Sequence, residues 1–347
     1  MEISRTQSSV MRGVGILMIC LHNHLHMISP VNECEFAFYP ERVQTLLHAP
    51  LSVWRVVEYA LSFFGWYGVA VFMFLSGYGL VRKHEAAGAP TMHAGRYLGR
   101  NYAKLLILLI PGYCLYMLAR RTLFPADEIM YHVTMLSNFV LPNDIDPGVY
   151  WYFGLTMQLY VVYLLFYNCR GRAWLWVTAA VTLVAGLVLA LLPPSPLHTG
   201  LRHNSVLWLP AFVMGVAVAR YGKQWRPLQQ MLDHGWVALA LLTVLWVATS
   251  LIAVTWVLSP LLAVLWLWVL SHLIHRRQGV ASRIMAYVGA ISAGLFVIHP
   301  SVRFLSYGLL AGGHSHAMVV TCYLAVCIPL AIGYTALYKW LIRLLNK

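Results

Sequence analysis

Apolar runs of about 20 residues, the length that crosses a bilayer core as a helix, recur along this chain. They lie at 9–28, 61–80, 101–119, 150–168, 174–192, 205–220, 236–252, 258–274, 285–303 and 317–340. In lipid, every backbone N–H and C=O needs a partner within the protein, so such runs fold as helices packed into a bundle. The expected fold is an all-α polytopic membrane protein of about ten transmembrane helices. Composition agrees: of 347 residues, 60% are hydrophobic and 10% charged, against about 25% charged in ordinary soluble domains. The weakest boundaries are the short sixth run and the turn at 255–260, where one Ser-Pro step separates the seventh run from the eighth.

The basic residues orient the bundle by the positive-inside rule. With the N-terminus inside, seventeen Lys and Arg fall in inner segments, from Arg5 through Arg170 to Lys347. Six fall outside (Arg42, Arg55, Arg120, Arg121, Arg202 and Arg303), and Arg12 sits within the first run. Both termini are therefore expected in the cytoplasm, with Cys34 outside and Cys169 near the inner face. The long connections at 29–60 and 120–149 are expected outside, with most of the acids: Glu33, Glu35, Glu41, Glu58, Asp127, Glu128, Asp144 and Asp146. The first run carries Arg12 and lacks a small-residue cleavage site, so it is expected to stay on the protein. No repeat or soluble domain interrupts the chain, which reads as one transmembrane domain over 1–347.

A net charge of +13 is dispersed in short loop clusters, which argues against a nucleic-acid partner. The six cysteines form no CxxC or Cys/His zinc spacing, so neither a disulfide framework nor a bound metal is expected. Nothing in the pattern specifies an oligomeric state.

The stretch RGVGILMICLHNHLH, Arg12 to His26, places a fixed charge and three histidines in one span. An intramembrane charge costs several kcal/mol and usually faces a bundle interior. Arg12 alone reads equally well as a snorkelling anchor. His22 lies about 15 Å further along the helix, and three histidines in five residues favour a site. At about 100° per residue, Asn23 falls roughly 20° from Arg12, and His26 and His22 fall roughly 40° and 80° to one side, while His24 points about 120° to the other. Histidine is the natural general base near neutral pH.

Other stretches supply candidate walls. FFGWYGVAVFMFLSGYGL from Phe63 carries glycines that permit close helix packing, with Ser76 and Tyr78 as pocket candidates. The span from Val149 carries Trp151 at its start and Gln158 too deep for an interfacial belt. In SAGLFVIHPSV, His299 precedes Pro300, and a carbonyl-capping role is as good a reading as a functional one. Arg100 and Lys104 share a face at the inner start of the third span, as topology anchors or as a site for a phosphorylated ligand.

These stretches, in order from Arg12 to Pro300, resemble acyltransferase family 3, integral-membrane enzymes that usually O-acetylate envelope carbohydrates. The resemblance implies a ten-helix architecture, acyl-coenzyme A entering from the cytoplasm, and an essential Arg and His on the first helix. Three positions depart from the family pattern: Asn23 stands where the histidine is usual, between His22 and His24, and Thr156 and Met157 stand in place of an acidic pair, with Gln158 retained.

The expected activity is acyl transfer, acetyl above all, from acetyl-CoA or another acyl-CoA as co-substrate to a hydroxyl of an envelope or exopolysaccharide sugar, in the bacterial inner membrane. Arg12, Arg100 and Lys104 are expected to bind the donor. His22 is the expected base, with His26 and Asn23 beside it and Ser76, Tyr78, Trp151, Gln158 and His299 as the pocket. No carboxylate partner is assigned to the histidine. A transporter or flippase of a lipid-linked glycan, with Arg12 and the histidines along a polar path, is the alternative from another class, and an inactive family member is a third.

Overall fold

The computed structural model describes residues 2–50, 52–85, 92–139, 146–169 and 171–345. Among the described residues the chain is helical throughout, with no strand. The first half runs through α1 (Arg5–Leu25), α2 (Pro40–His48), α3 (Val53–Phe64), α4 (Gly68–His84), α5 (Ala94–Arg120), α6 (Ala126–Val133), α7 (Trp151–Asn168) and α8 (Arg172–Leu191). The second half adds α9 (Pro196–His203), α10 (Leu209–Tyr221), α11 (Arg226–Asp233), α12 (Gly235–Ser250), α13 (Ala253–Trp256), α14 (Ser259–Arg276), α15 (Val280–Ala290), α16 (Ser292–Ala311) and α17 (His316–Leu345).

A helix answers each of the ten apolar runs, yet among the described residues only seven stretches are long and apolar enough to cross a membrane. These are Val53–His84, Ala94–Arg120, Gly148–Asn168, Arg172–Leu191, Ser259–Arg276, Ser292–Ala311 and His316–Leu345. An eighth arises if α11 and α12, which meet at a 103° bend, form one span. The count of ten thus exceeds what length and apolarity give. The shortfall has a physical source. Helix α1 is long enough, but it is packed against α3, α4, α14, α15 and α16 rather than lipid, so it tolerates Arg12 and three histidines. Helix α10 has only 13 residues and is also enclosed, against α4 and α8. The ninth run is displaced: α15 ends at Ala290 and α16 carries the chain from Ser292 to Ala311. Asp144, Arg170 and Lys347 lie outside the described residues.

Local chemistry sets the ends of α1. The Ser4 side chain accepts a hydrogen bond from the Gln7 N–H at 3.0 Å, satisfying one of the orphan donors of a helix start. At the other end the Asn23 carbonyl accepts from Arg303 Nη1 at 2.9 Å. Close approach along α1 depends on glycine: a Cβ on Gly13 would collide with the Met285 carbonyl, and one on Gly289 with the Ser9 carbonyl. Gly13→Val should therefore lower the thermal midpoint of the detergent-solubilised protein, with an overpacking cost of about 1–3 kcal/mol or more. Gly308→Ala, where a Cβ meets nothing within 4 Å, should leave it unchanged.

Both ends of the described chain lie at one face of the bundle. Early in α17, Tyr323 donates to the Cys20 carbonyl, late in α1, at 3.1 Å. Further on, Ala331 and Thr335 pack on Gly294, at the start of α16, where Ser292 shares a cavity with Ser8. Helix α17 thus descends toward the face where α1 begins. Cys34 is buried and Cys169 exposed, so Cys34 cannot report orientation to a thiol reagent. A cytoplasmic N-terminus requires an impermeant maleimide on intact cells to label Thr45→Cys, on an exposed turn of α2, and to spare Cys169.

Candidate functional site

Two cavities follow α1 through the bundle. The larger, about 510 Å³, has Ser8, Arg12 and Ser76 toward the N-terminal face and Ile16, Phe72 and Leu105 along its apolar middle. The smaller, about 30 Å³, is lined by His22, Asn23, Glu35 and the rings of Trp66 and Trp151. Ile19, Tyr152 and Phe296 line both, so the two chambers adjoin at those side chains.

Arg12 reaches only its own helix: Nε donates to the Ser8 carbonyl at 3.4 Å and Nη2 to Ser9 Oγ at 3.2 Å. Among the described residues no carboxylate forms an ion pair with it. A guanidinium with donors to spare on a cavity wall is suited to an anionic group.

At the far end the histidines divide. His22 Nδ1 lies 2.9 Å from the Ser62 carbonyl, and a carbonyl can only accept, so Nδ1 carries the proton and Nε2 the lone pair. That Nε2 is buried without a hydrogen-bond partner and lies 3.9 Å from Glu35 Oε2. His26 Nδ1 likewise lies 3.0 Å from the His22 carbonyl, and the two rings stand 4.8 Å apart. His24 is turned elsewhere, stacked on Tyr323 at 4.5 Å with Tyr307 beyond. Asn23 faces the small chamber, its Nδ2 donating to the Ile19 carbonyl at 3.0 Å.

The segment between α1 and α2 folds back over this end of α1. Ser62 Oγ donates to the Val31 carbonyl at 2.6 Å, Arg42 Nη1 to the Glu33 carbonyl at 2.5 Å, and Arg202 Nε to the Glu35 carbonyl at 2.7 Å. Arg202 is itself caged, its Cζ between 4.6 and 4.9 Å from the rings of Trp66, Trp208 and Trp256. These anchors bury Glu33 and Glu35 beside the imidazoles. Burial, with Glu33 adding repulsion, pushes the Glu35 carboxyl up to about 8. Burial also works against the charged form of Glu33, but the pull of His22 and His26 when protonated, with a backbone hydrogen bond and Arg42, outweighs it and holds that carboxyl below the usual range. His22, His26 and Glu33 each offer a ligand atom within 4.8 Å of the others, the one group of this kind among the described residues.

Of the residues expected from sequence, Arg12 and Ser76 line the large chamber, and His22, Asn23 and Trp151 the small one. Tyr78, Gln158 and His299 line neither. The Tyr78 hydroxyl meets the Ile3 N–H at 2.9 Å, which pins the N-terminal segment. Gln158 braces the loop after α9, with Nε2 donating to Asn204 Oδ1 at 2.6 Å and Oε1 accepting from the Ser205 N–H at 2.8 Å. Pro300 has no N–H for the Phe296 carbonyl, and His299 Nδ1, 2.7 Å away, supplies the missing donor. Arg100 is exposed and Lys104 lies near Lys83; neither lines these two chambers.

Sequence reasoning missed Glu33, Glu35, Arg202 and Arg303, counting them only as outer charges. A signal was present for the acids: NECEF sets them between Val31, Cys34 and Ala37, all buried, and so many apolar neighbours are out of place in a solvated loop.

Several long apolar helices, packed around a cavity that Arg12 lines and an adjoining histidine and carboxylate cluster, define a multi-pass membrane protein. The family model described as an acyltransferase domain matches residues 7–336. The chain belongs to acyltransferase family 3 and is a membrane acyltransferase. Comparison with curated proteins and with solved structures gave no match.

Proposed function

We propose that this chain moves an acyl group, acetyl first of all, from acyl-coenzyme A to a hydroxyl of an envelope or exopolysaccharide sugar in a bacterial inner membrane. The observation that carries the reading is the paired chambers: Arg12 lines one, His22 lines the other, and Ile19, Tyr152 and Phe296 are common to both. The larger has the size of a small-molecule site, commonly about 300–1,000 Å³. Coenzyme A phosphates sit at Arg12, on the face taken as cytoplasmic, and the pantetheine arm lies along the apolar middle. The thioester then reaches Ile19, below His22.

The acceptor hydroxyl arrives from the opposite face, beside Glu35 and Trp151. Nε2 of His22 takes its proton as the oxygen attacks the thioester carbonyl. The tetrahedral intermediate collapses with loss of the coenzyme A thiolate, which receives that proton from the imidazolium. The Ser62 carbonyl fixes the ring in the tautomer this requires, and the ionised Glu33 stabilises the imidazolium between the two steps.

The purified protein should be stabilised against heat by coenzyme A and should release free thiol from acetyl-CoA when a hexoside is supplied as acceptor. Heat stability indifferent to coenzyme A, with no thiol released, would contradict the reading.

A further inference from the structure

We propose that His22, His26 and Glu33 form a binding site for a divalent transition metal of the zinc and cobalt class, and that a filled site excludes acyl transfer. Two histidines four apart on one helix face, completed by a carboxylate from elsewhere in the chain, are a donor set that Zn²⁺ takes with a fourth position left open.

The geometry around the donors points to a ligand. Each imidazole is held through Nδ1 by a backbone carbonyl, Ser62 for His22 and His22 itself for His26. This is the outer arrangement that orients metal-binding histidines and leaves Nε2 available. Two buried atoms in the cluster, His22 Nε2 and Glu33 Oε2, have no hydrogen-bond partner, and such atoms cost free energy unless something satisfies them. The three ligand atoms lie within 4.8 Å of one another. Metal bonds of about 2.0–2.2 Å ask the widest separation to close by roughly 1 Å.

Glu33 supplies the negative charge at the cluster, with Glu35 beside it largely protonated at neutral pH, against Arg303 on α16 and Arg42 on α2. Arg303 Nη1 is committed to the Asn23 carbonyl and Arg42 Nη1 to the Glu33 carbonyl. His26 is only partly buried, so the site has an edge toward the face opposite the chain termini. The sequence showed no Cys/His zinc spacing because the third donor comes from a loop seven residues past His26.

Metal and base compete for one lone pair. With Nε2 of His22 on a cation, it cannot accept the acceptor's proton, so occupancy is an off state. This part of the inference rests on the acyl-transfer reading; the binding itself does not.

The test uses the full chain, purified in detergent, stripped with a chelator and titrated with Co²⁺ alone. One equivalent should bind with visible absorption from a low-coordinate nitrogen and oxygen site, and Zn²⁺ should displace it. His26→Ala and the near-isosteric Glu33→Gln should each weaken binding by about tenfold or more, while Arg12→Glu should bind as the native chain does. Zn²⁺ at saturation should suppress thiol release, and chelation should restore it. Absence of a stoichiometric site, or equal binding by the native chain and the folded Glu33→Gln variant, would overturn the metal site. Acyl transfer indifferent to a bound metal would overturn the exclusion. Intact Co²⁺ binding in a protein that never transfers acyl groups would leave the metal site standing and remove the acyl-transfer reading instead.

Discussion

His22→Ala should abolish acyl transfer, lowering the rate by about 10²–10⁴-fold, the usual worth of a positioned acid or base, with normal protein levels in the membrane. The substitution removes the imidazole whose Nε2 is buried without a hydrogen-bond partner, and the fold loses its hydrogen bond to the Ser62 carbonyl and the packing of one buried ring. His26→Ala should impair transfer strongly but less, since that ring lies beside His22 and acts on the same carboxylate. His24→Ala should cost stability rather than rate, because His24 is fully buried and stacked on Tyr323. Rates measured with saturating acetyl-CoA in membranes of matched protein content decide the order. An inactive His24 variant beside an active His22 variant would reverse the assignment.

Arg12→Glu should weaken coenzyme A binding by about 10–100-fold. A hydrogen bond to a charged group is worth about 1.5–3 kcal/mol, and each 1.4 kcal/mol is about tenfold in affinity. Arg12→Lys should recover part of the loss, since a point charge serves a phosphate without the planar fork. Arg100→Glu and Lys104→Glu should change affinity by less than about threefold, because neither side chain lines the chamber and exposed charges are strongly screened. Calorimetric titration of the purified variants with coenzyme A separates the three positions. Equal losses at all of them would mean that the phosphates sit outside the chamber.

The helical architecture was legible because lipid permits few alternatives, and each apolar run became a helix. What hydropathy could not supply was which runs meet lipid. Helix α1 contains Arg12, His22, His24 and His26 because other helices surround it, and its packing against α15 through Gly13 and Gly289 is a tertiary fact. The histidine faces followed from helical periodicity alone, as did the expectation that His24 points away from its neighbours. Glu33 and Glu35 were not legible as site residues. Their position depends on Arg42, Ser62 and Arg202, the last of them 167 positions along the chain from Glu35. His299 and Gln158 show the converse. For His299 the sequence left capping and function equally open, and the contact observed is to the proline-freed carbonyl; Gln158, deep in its span, contacts the loop after α9.

The most direct measurement is an electron cryomicroscopy structure of the chain with coenzyme A bound. The phosphates should lie at Arg12, the pantetheine arm between Phe72 and Leu105, and the thiol past Ile19, within about 3–4 Å of where His22 Nε2 can act. Coenzyme A bound anywhere that leaves its thiol outside the chamber, or a chamber filled by lipid while coenzyme A sits elsewhere, would contradict this placement.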